Sequence, residues 1–330
     1  MGPRILIVNV NWIGDVLFST PAIRALKKHF PKNHLSCLVP TRCEDLLKHN
    51  PYLDEVIAAG GALDLLCVLR KRKFDTAIFF HRSKTKVAMA ALAGIKERIG
   101  FERSGSRRWL TRAMPQAPIS CHRSEIFLDL VAKLGAPRDG RHLDFYPAPE
   151  AEGDLDNLLA SIGLSIENPY VVVHAGGNWD LKRWPASYFV KWIDRFLGST
   201  GWPVILCGTP GEENLSQEIL SHFFGKPVFS VCGKTDLNVL GHLLKHARLL
   251  LSNDSGPIHL AASQKTPLVG IYGPTSPLET GPVSEARLAV LHKEVGCEVP
   301  CYFRSCNNRV CMHWITPEEV FEETRRVLAV

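Results

Sequence analysis

The stretch Ser252-Asn253-Asp254-Ser255-Gly256-Pro257-Ile258-His259-Leu260-Ala261-Ala262, followed by the apolar run Leu268-Val269-Gly270-Ile271-Tyr272 and then Gly273-Pro274-Thr275, decides the fold. A polar loop opens a helix of small and apolar residues, and a buried-type strand follows, as in a parallel α/β unit. Asp254, Ser255 and Gly256 can cap a helix whose first turn carries unpaired N–H groups and a partial positive charge, which suits phosphate oxygens. Residue pattern alone leaves two readings open: a diphosphate cradle, or an ordinary capped helix.

Outward from this stretch, strand-length apolar runs alternate with helical patterns in both halves, which predicts parallel sheets covered by helices. Candidate strands in the first half are Ile5 to Val8, Leu35 to Val39, Glu55 to Ala58 and Thr76 to Phe80. Those in the second are Tyr170 to Val173, Val204 to Cys207, Val228 to Val231, Leu249 to Leu251 and Leu268 to Ile271. A chain of 330 residues suits two such domains. The linker is expected near Ala148-Pro149-Glu150-Ala151-Glu152-Gly153-Asp154 or just after the next helix. In a last helix Thr316 caps, Pro317 takes the first position and Glu319 closes a capping box. Two doubly wound domains facing each other would bring the carboxyl ends of both sheets to a shared cleft.

Apolar residues at 45% and charged residues at 22% exclude a disordered or low-complexity class. Ile5-Leu6-Ile7-Val8 is far too short for a signal peptide or a membrane span, so a cytoplasmic location is expected. The net charge of +6 is uneven: between Arg70 and Arg123 fourteen Lys or Arg face Asp75, Glu97 and Glu102, which leaves the remainder of the chain acidic. Such an excess is either a solvated face or a surface for an anionic partner such as phosphorylated lipid or acidic sugar. Phe101 and Trp109 are too few for a stacking platform, which argues against nucleic acid. After the first strand comes Asn9-Val10-Asn11-Trp12-Ile13-Gly14-Asp15, with one glycine where a dinucleotide-dependent dehydrogenase carries Gly-x-Gly-x-x-Gly.

Asn253-Asp254-Ser255-Gly256-x-x-His259-Leu260-Ala261-Ala262 with Tyr272-Gly273-Pro274-Thr275 resembles the signature of the lipopolysaccharide heptosyltransferases, glycosyltransferase family nine. The resemblance extends over nearly the whole chain, and Tyr-Gly-Pro-Thr-Ser-Pro is most similar to the branch that adds the second heptose. It implies a GT-B fold of two Rossmann-like domains: an acceptor domain over 1–155, an ADP-sugar-binding domain over 156–315, and a helix over 316–330 packing back across the junction. The implied reaction is inverting transfer of L-glycero-D-manno-heptose from ADP-heptose to the inner core, on Kdo-lipid A or its heptosylated form, at the cytoplasmic face of the inner membrane. Rival readings are a protein O-heptosyltransferase and a non-catalytic sugar-nucleotide binder.

Spacing alone makes Asp15 an N-cap ahead of Ile23, Leu26 and Phe30. Gly14-Asp15-Val16 with Thr20-Pro21-Ala22-Ile23-Arg24-Ala25-Leu26 looks like the family motif whose aspartate acts as general base, a role suited to deprotonating an acceptor hydroxyl. A nucleoside diphosphate leaves without a general acid if its charge is stabilised. Lys182, in Gly176-Gly177-Asn178-Trp179-Asp180-Leu181-Lys182-Arg183-Trp184-Pro185, resembles the family lysine that contacts the donor phosphates. Gly176 and Gly177 would let backbone approach the diphosphate. Asp254, Ser255, Gly256 and His259 are expected on its other side. Asn238 is the nearest match to a ribose-binding acidic residue, with Asp236 close by. Lys84, Lys86, Arg98, Arg107 and Arg108 resemble the acceptor side.

Ten cysteines without an export signal argue against a disulfide framework. Cys297, Cys301, Cys306 and Cys311 share one polar loop with His313 behind. Reduced thiols, a redox-labile disulfide, and zinc or iron held by the four sulfurs all remain open. No cofactor is required for the transfer itself.

Overall fold

The computed structural model describes residues 2–58, 62–102, 105–115, 121–301, 303 and 305–329. The chain divides into two units, Met1–Tyr146 and Pro147–Val330. In the first, β1 (Arg4–Val8), β2 (His34–Val39), β3 (Glu55–Ala58), β4 (Thr76–Phe79), β5 (Glu97–Phe101) and β6 (Arg112–Met114) alternate with α1 (Ile13–His29), α2 (Ala62–Arg72), α3 (Lys84–Leu92) and α4 (Arg123–Ala132). Among the described residues the strands form one six-stranded sheet in the order β3-β2-β1-β4-β5-β6, and every pairing is parallel.

The second unit opens with α5 (Ala151–Ser161). It continues through β7 (Val171–His174), α6 (Ala186–Thr200), β8 (Val204–Leu206), α7 (Glu213–Leu220), β9 (Val228–Ser230), α8 (Leu237–His246), β10 (Leu249–Asn253), α9 (Gly256–Ser263), β11 (Leu268–Tyr272), α10 (Pro277–Thr280), β12 (Leu288–His292), α11 (Val310–His313) and α12 (Pro317–Leu328). Its order, β12-β11-β10-β7-β8-β9, repeats that of the first sheet, again with all pairs parallel. Strands covered on both faces read as unbroken apolar runs, which is why β7 and β11 are buried at every position.

Three strands escape the reading of apolar runs. β5 mixes Glu97 and Arg98 with Ile99 and Phe101, β6 has three residues, and β12 is a half-exposed edge. The division between the units also precedes the expected boundary near 155, which would cut α5; that helix packs whole against α8. The capping box at Thr316 and Glu319 forms as read. Val320, Phe321, Thr324 and Val327 of α12 are buried, and the helix lies on α6, β11 and β12. Trp192 Nε1 seals this contact by donating to Thr324 Oγ1 at 3.1 Å.

In α1 the motif Thr20-Pro21-Ala22-Ile23-Arg24 has a structural logic. Pro21 has no N–H for the Leu17 carbonyl, and the Thr20 hydroxyl donates to that carbonyl instead at 2.7 Å. The same hydroxyl accepts from Asp144 N at 2.8 Å. One turn on, the fully buried Arg24 pairs with Asp144 and Asp139 and donates to the carbonyls of Asp139 and His142. Burial pushes the Asp144 carboxyl up, against the pull of Arg24 and His142. Arg24→Met strands that carboxylate and is expected to cost about 3–5 kcal/mol in urea unfolding. Arg24→Met with Asp144→Asn should recover part of the loss; strictly additive costs would show that the pair is not coupled.

Candidate active site

In each sheet two neighbouring strands send their connections to opposite sides, which opens a crevice at their carboxyl ends. For the second sheet these are β7 and β10. The loop after β7 carries Gly176, Gly177 and Lys182, and β10 runs directly into Asp254, Ser255 and Gly256. Lys182 Nζ lies 2.7 Å from Asp254 Oδ2, and Thr275 Oγ1 donates to the same oxygen at 2.6 Å. The Asp254 carboxylate is almost buried at 6% exposure, whereas Lys182 keeps 20%, so the ammonium is held in place with one side open.

Asn253, wholly buried, stitches the two loops together. Its amide donates to the carbonyls of Ala175 at 2.7 Å and Gly176 at 3.0 Å, and its oxygen accepts from Trp184 N at 3.1 Å. Ser255 is the N-cap residue of α9, yet its hydroxyl makes no cap bond and sits 2.9 Å from His174 Nδ1. The cap expected from Asp254, Ser255 and Gly256 is therefore absent as a side-chain bond among the described residues, because Asp254 faces Lys182 and Gly256 is already helical. Pro257 contributes no N–H, leaving Gly256 and Ile258 as amide donors of the first turn. His259 follows them and is buried.

Behind this layer His174 Nε2 lies 3.5 Å from Glu212 Oε2, and Glu212 Oε1 accepts from Gly177 N at 2.6 Å. A Cβ on Gly176 would come within 1.9 Å of Glu212 Oε1, so any other residue there would push the Glu212 carboxylate off Gly177 N. Arg183 donates to Gly177 O from Nε at 3.0 Å and Nη2 at 2.7 Å. Burial alone would raise the Glu212 carboxyl, but bonds from His174 and Thr209 overcome it and hold the acid well below its usual range. His174, Glu212 and Thr275 were not among the sequence candidates, and Glu212 lies too far along the chain for any local pattern to expose it.

Asn238 stands elsewhere. Its Oδ1 accepts from Ala148 N at 2.9 Å, and the neighbouring Asp236 is tied up as the N-cap of α8, accepting from Val239 N at 2.8 Å.

In the first sheet the corresponding crevice lies between the loops after β1 and β4. Asn11 Nδ2 and His81 Nε2 meet there at 2.9 Å. Asp15 is the third residue of α1, and the N-cap is Trp12, so the capping role that spacing suggested is not what the carboxylate does. Its Oδ1 pairs with Arg123 Nη1 at 2.7 Å, at the start of α4, which makes Arg123 a further residue that sequence reasoning missed. Asp15 is 14% exposed in its side chain, close to the surface of the crevice.

The basic candidates separate. Lys84 is exposed and Lys86 half-buried in the first turn of α3, behind the Ser83 cap. Burial pulls the Lys86 ammonium down. Arg107 pairs with Glu102, and Arg108 lies 5.4 Å from the Trp109 ring. The Arg98 guanidinium turns inward onto the carbonyls of Trp109, Ile95 and Lys96. Arg103 lies outside the described residues.

The cysteine loop borders the second crevice. Cys301 N donates to Pro274 O at 2.7 Å, and Arg309 donates to Arg183 O. Burial first, then the proximity of Cys297, Cys306 and Cys301, raises the Cys311 thiol.

Two all-parallel Rossmann-like units, each with polar side chains gathered at its crossover crevice, are the architecture of the GT-B glycosyltransferases. The chain belongs to glycosyltransferase family 9, the heptosyltransferase family, whose match spans residues 63–309. Over 99% of both chains it is 27% identical to lipopolysaccharide heptosyltransferase 2 of Salmonella typhimurium. The structure of Escherichia coli ADP-heptose lipopolysaccharide heptosyltransferase II matches it with a TM-score of 0.83 at 24% identity, over 99% of this chain and 98% of that one. The iron-containing dodecameric glycosyltransferase TibC of enterotoxigenic E. coli matches with a TM-score of 0.61 at 16% identity, over 98% of this chain and 76% of that one.

The depressed Glu212 carboxyl has a measurable signature. Its stabilising contribution is fully present above the ordinary glutamate value of 4.5 and is lost as pH falls through the lower folded value. Glu212→Gln is therefore expected to lower stability by roughly 1–3 kcal/mol at neutral pH, with the gap to the parent narrowing as pH drops below that point. A constant gap between pH 7 and pH 3 would rule out the carboxylate as its source.

Proposed function

We propose that the protein is an inverting glycosyltransferase that moves L-glycero-D-manno-heptose from ADP-heptose to the inner core of lipopolysaccharide, adding the second heptose. The observation that carries this reading is the Lys182–Asp254–Thr275 arrangement beside the start of α9, in a family 9 chain collinear with lipopolysaccharide heptosyltransferase 2. An acceptor hydroxyl attacks the anomeric carbon as the bond to the diphosphate oxygen breaks and its electron pair leaves with ADP. The hydroxyl proton passes to the Asp15 carboxylate, which Arg123 orients. The charge growing on the diphosphate meets Lys182 and the amides of Gly256 and Ile258. Gly176 and Gly177 keep the facing loop close, Ser255 and His259 line the pocket, and Asp254 positions Lys182. The steps balance with donor, acceptor and protein groups alone.

On this reading the first unit takes the anionic acceptor, with Lys84, Lys86, Arg107 and Arg108 as contacts and Arg98 as internal support. No helix among the described residues is long and apolar enough to cross a membrane. The excess charge would then hold the enzyme at the anionic cytoplasmic face of the inner membrane. The thiols of Cys297, Cys301, Cys306 and Cys311 suit a zinc or iron ion by donor chemistry, on a loop tied to both Pro274 and Arg183; among the described residues no three of their sulfurs lie within 4.8 Å of one another, so an ion would have to draw them together. The ion's contribution would be to rigidify that loop.

Incubation with ADP-heptose and defined core acceptors, with products identified by mass, tests the activity directly; turnover on protein acceptors alone would favour a protein O-heptosyltransferase. Asp15→Asn should lower kcat by about 10²–10⁴-fold with ADP affinity little changed. Activity near the parent's would remove Asp15 as the base.

Lys182→Ala should weaken ADP binding by about 10–100-fold in calorimetry. Because it also strips Asp254 of its cation, adding Asp254→Asn should recover stability without recovering affinity. Unchanged affinity in either variant would return Lys182 to a structural role.

A further inference from the structure

Glu152, His242 and His246 form a cluster that the transfer reaction does not use. His242 and His246 are four residues apart on α8 and therefore share one face. Glu152 stands in the first turn of α5, which packs on α8. Its Oε1 lies 2.9 Å from His246 Nε2 and 3.6 Å from His242 Nδ1, and the three ligand atoms all fall within 4.8 Å of one another. With metal–ligand bonds of about 2.0–2.2 Å, neighbouring ligands of a tetrahedral zinc ion stand roughly 3.4 Å apart. The cluster brackets that spacing before any ion draws it in.

The histidine deepest in the cluster is already oriented. His242 Nε2 is 2.9 Å from the Ala148 carbonyl, which can only accept, so Nε2 carries a proton and Nδ1 is the ring nitrogen left facing Glu152 as the ligand atom. His242 is 4% exposed, and its Nδ1 is a buried nitrogen without a hydrogen-bond partner among the described residues. A carbonyl on the far ring nitrogen is the usual support of a metal-bound histidine. Among the described residues Lys245 is the cation paired with the cluster: its Nζ lies 3.5 Å from Glu152 Oε1, and its half-exposed side chain can swing out into solvent.

We propose that Glu152, His242 and His246 bind a divalent cation of the zinc class, with water completing the tetrahedron. Asn238 and His242, one turn apart, already grip the N–H and the carbonyl of Ala148. An ion between His242, His246 and Glu152 would extend that grip one turn further and pin the entry of the second unit, which begins at Pro147, onto α8.

The test uses the full chain loaded with zinc and then with cobalt, comparing the parent with His246→Gln and Lys245→Ala. Elemental analysis is expected to show His246→Gln losing one metal equivalent, and added zinc to raise the parent's unfolding temperature by more than the variant's. Cobalt absorption separates this site from the cysteine loop: the d–d bands of a nitrogen and oxygen set should vanish in His246→Gln, while any thiolate charge-transfer band persists. Lys245→Ala should bind zinc more tightly, because a competing cation is gone. Equal metal content and equal zinc response in parent and His246→Gln would overturn the site. So would weakened zinc binding in Lys245→Ala. If His246→Gln fails to fold, the Lys245→Ala comparison decides alone.

Discussion

The donor side rests on two adjacent buried side chains at the end of β10. Asn253 joins the loop after β7 to the strand beside it through three hydrogen bonds, and Asp254 fixes Lys182 and Thr275 on a single carboxylate oxygen. Replacing Asn253 with an apolar residue would strand the buried backbone groups of Ala175, Gly176 and Trp184, the costly case for polar groups in an interior, and replacing Asp254 would release Lys182 and Thr275 from the crevice wall. Both sit where β7 and β10 part company, so the interaction that closes the crevice also lines it. The loops it holds include Gly176, Gly177 and Trp184, and Trp184 Nε1 reaches on to Ile315 O at 2.8 Å just ahead of α12.

The first unit meets the same constraint with other residues. Asn9, also fully buried, follows β1 directly; its amide donates to Ser19 Oγ at 2.9 Å and its oxygen accepts from Val10 N at 2.8 Å, which sets the path of the loop into α1. Thr20 and Arg24 then lock that helix to the 139–144 segment. The helix carrying Asp15 is thus held from both ends of the motif. A proton acceptor has to be placed within hydrogen-bond reach of its substrate, so rigidity here belongs to the chemistry as much as to the fold.

What was legible in the sequence was what local chemistry writes locally. Central strands read as unbroken apolar runs, Thr316 and Glu319 announce their cap, and the Asn253-Asp254-Ser255 segment stands at the crevice its pattern suggested. What was not legible depends on distant chain segments. Glu212 reaches Gly177 and His174 only because β8 lies next to β7, and Arg123 meets Asp15 only because α4 packs on α1. Asn238 looked like a hydroxyl partner because its residue type fits that task; its oxygen accepts the Ala148 N–H instead. β5 was missed because Glu97 and Arg98 interrupt its apolar pattern, and β6 because three residues are too short a run to stand out. Asp15 looked like a cap because an acidic residue near a helix start satisfies the dipole as well as it satisfies a guanidinium.

The basic excess of the first unit illustrates why charge and contact must be argued separately. Arg98 donates to backbone carbonyls and Arg112 donates to Lys133 O at 2.9 Å, while Arg72 pairs with Glu55. A guanidinium bonded to carbonyls keeps its full charge and still contributes to the field that draws anions in, but its donors are engaged and it cannot grip a phosphate. One paired with a carboxylate contributes little to either. Lys84 and Lys86 differ from both kinds. They sit in the first turn of α3, where the helix end is itself positive, with Ser83 as cap and no acidic residue in that turn. Cations at that end are unfavourable, and the pull of burial on Lys86 adds to the cost. An anion bound there would relieve both at once. On the proposed reading arginines whose donors are spent on carbonyls, such as Arg98 and Arg112, steer the acidic acceptor, while this turn with Arg107 and Arg108 receives it, which divides attraction from recognition between two sets of residues that look alike in the sequence.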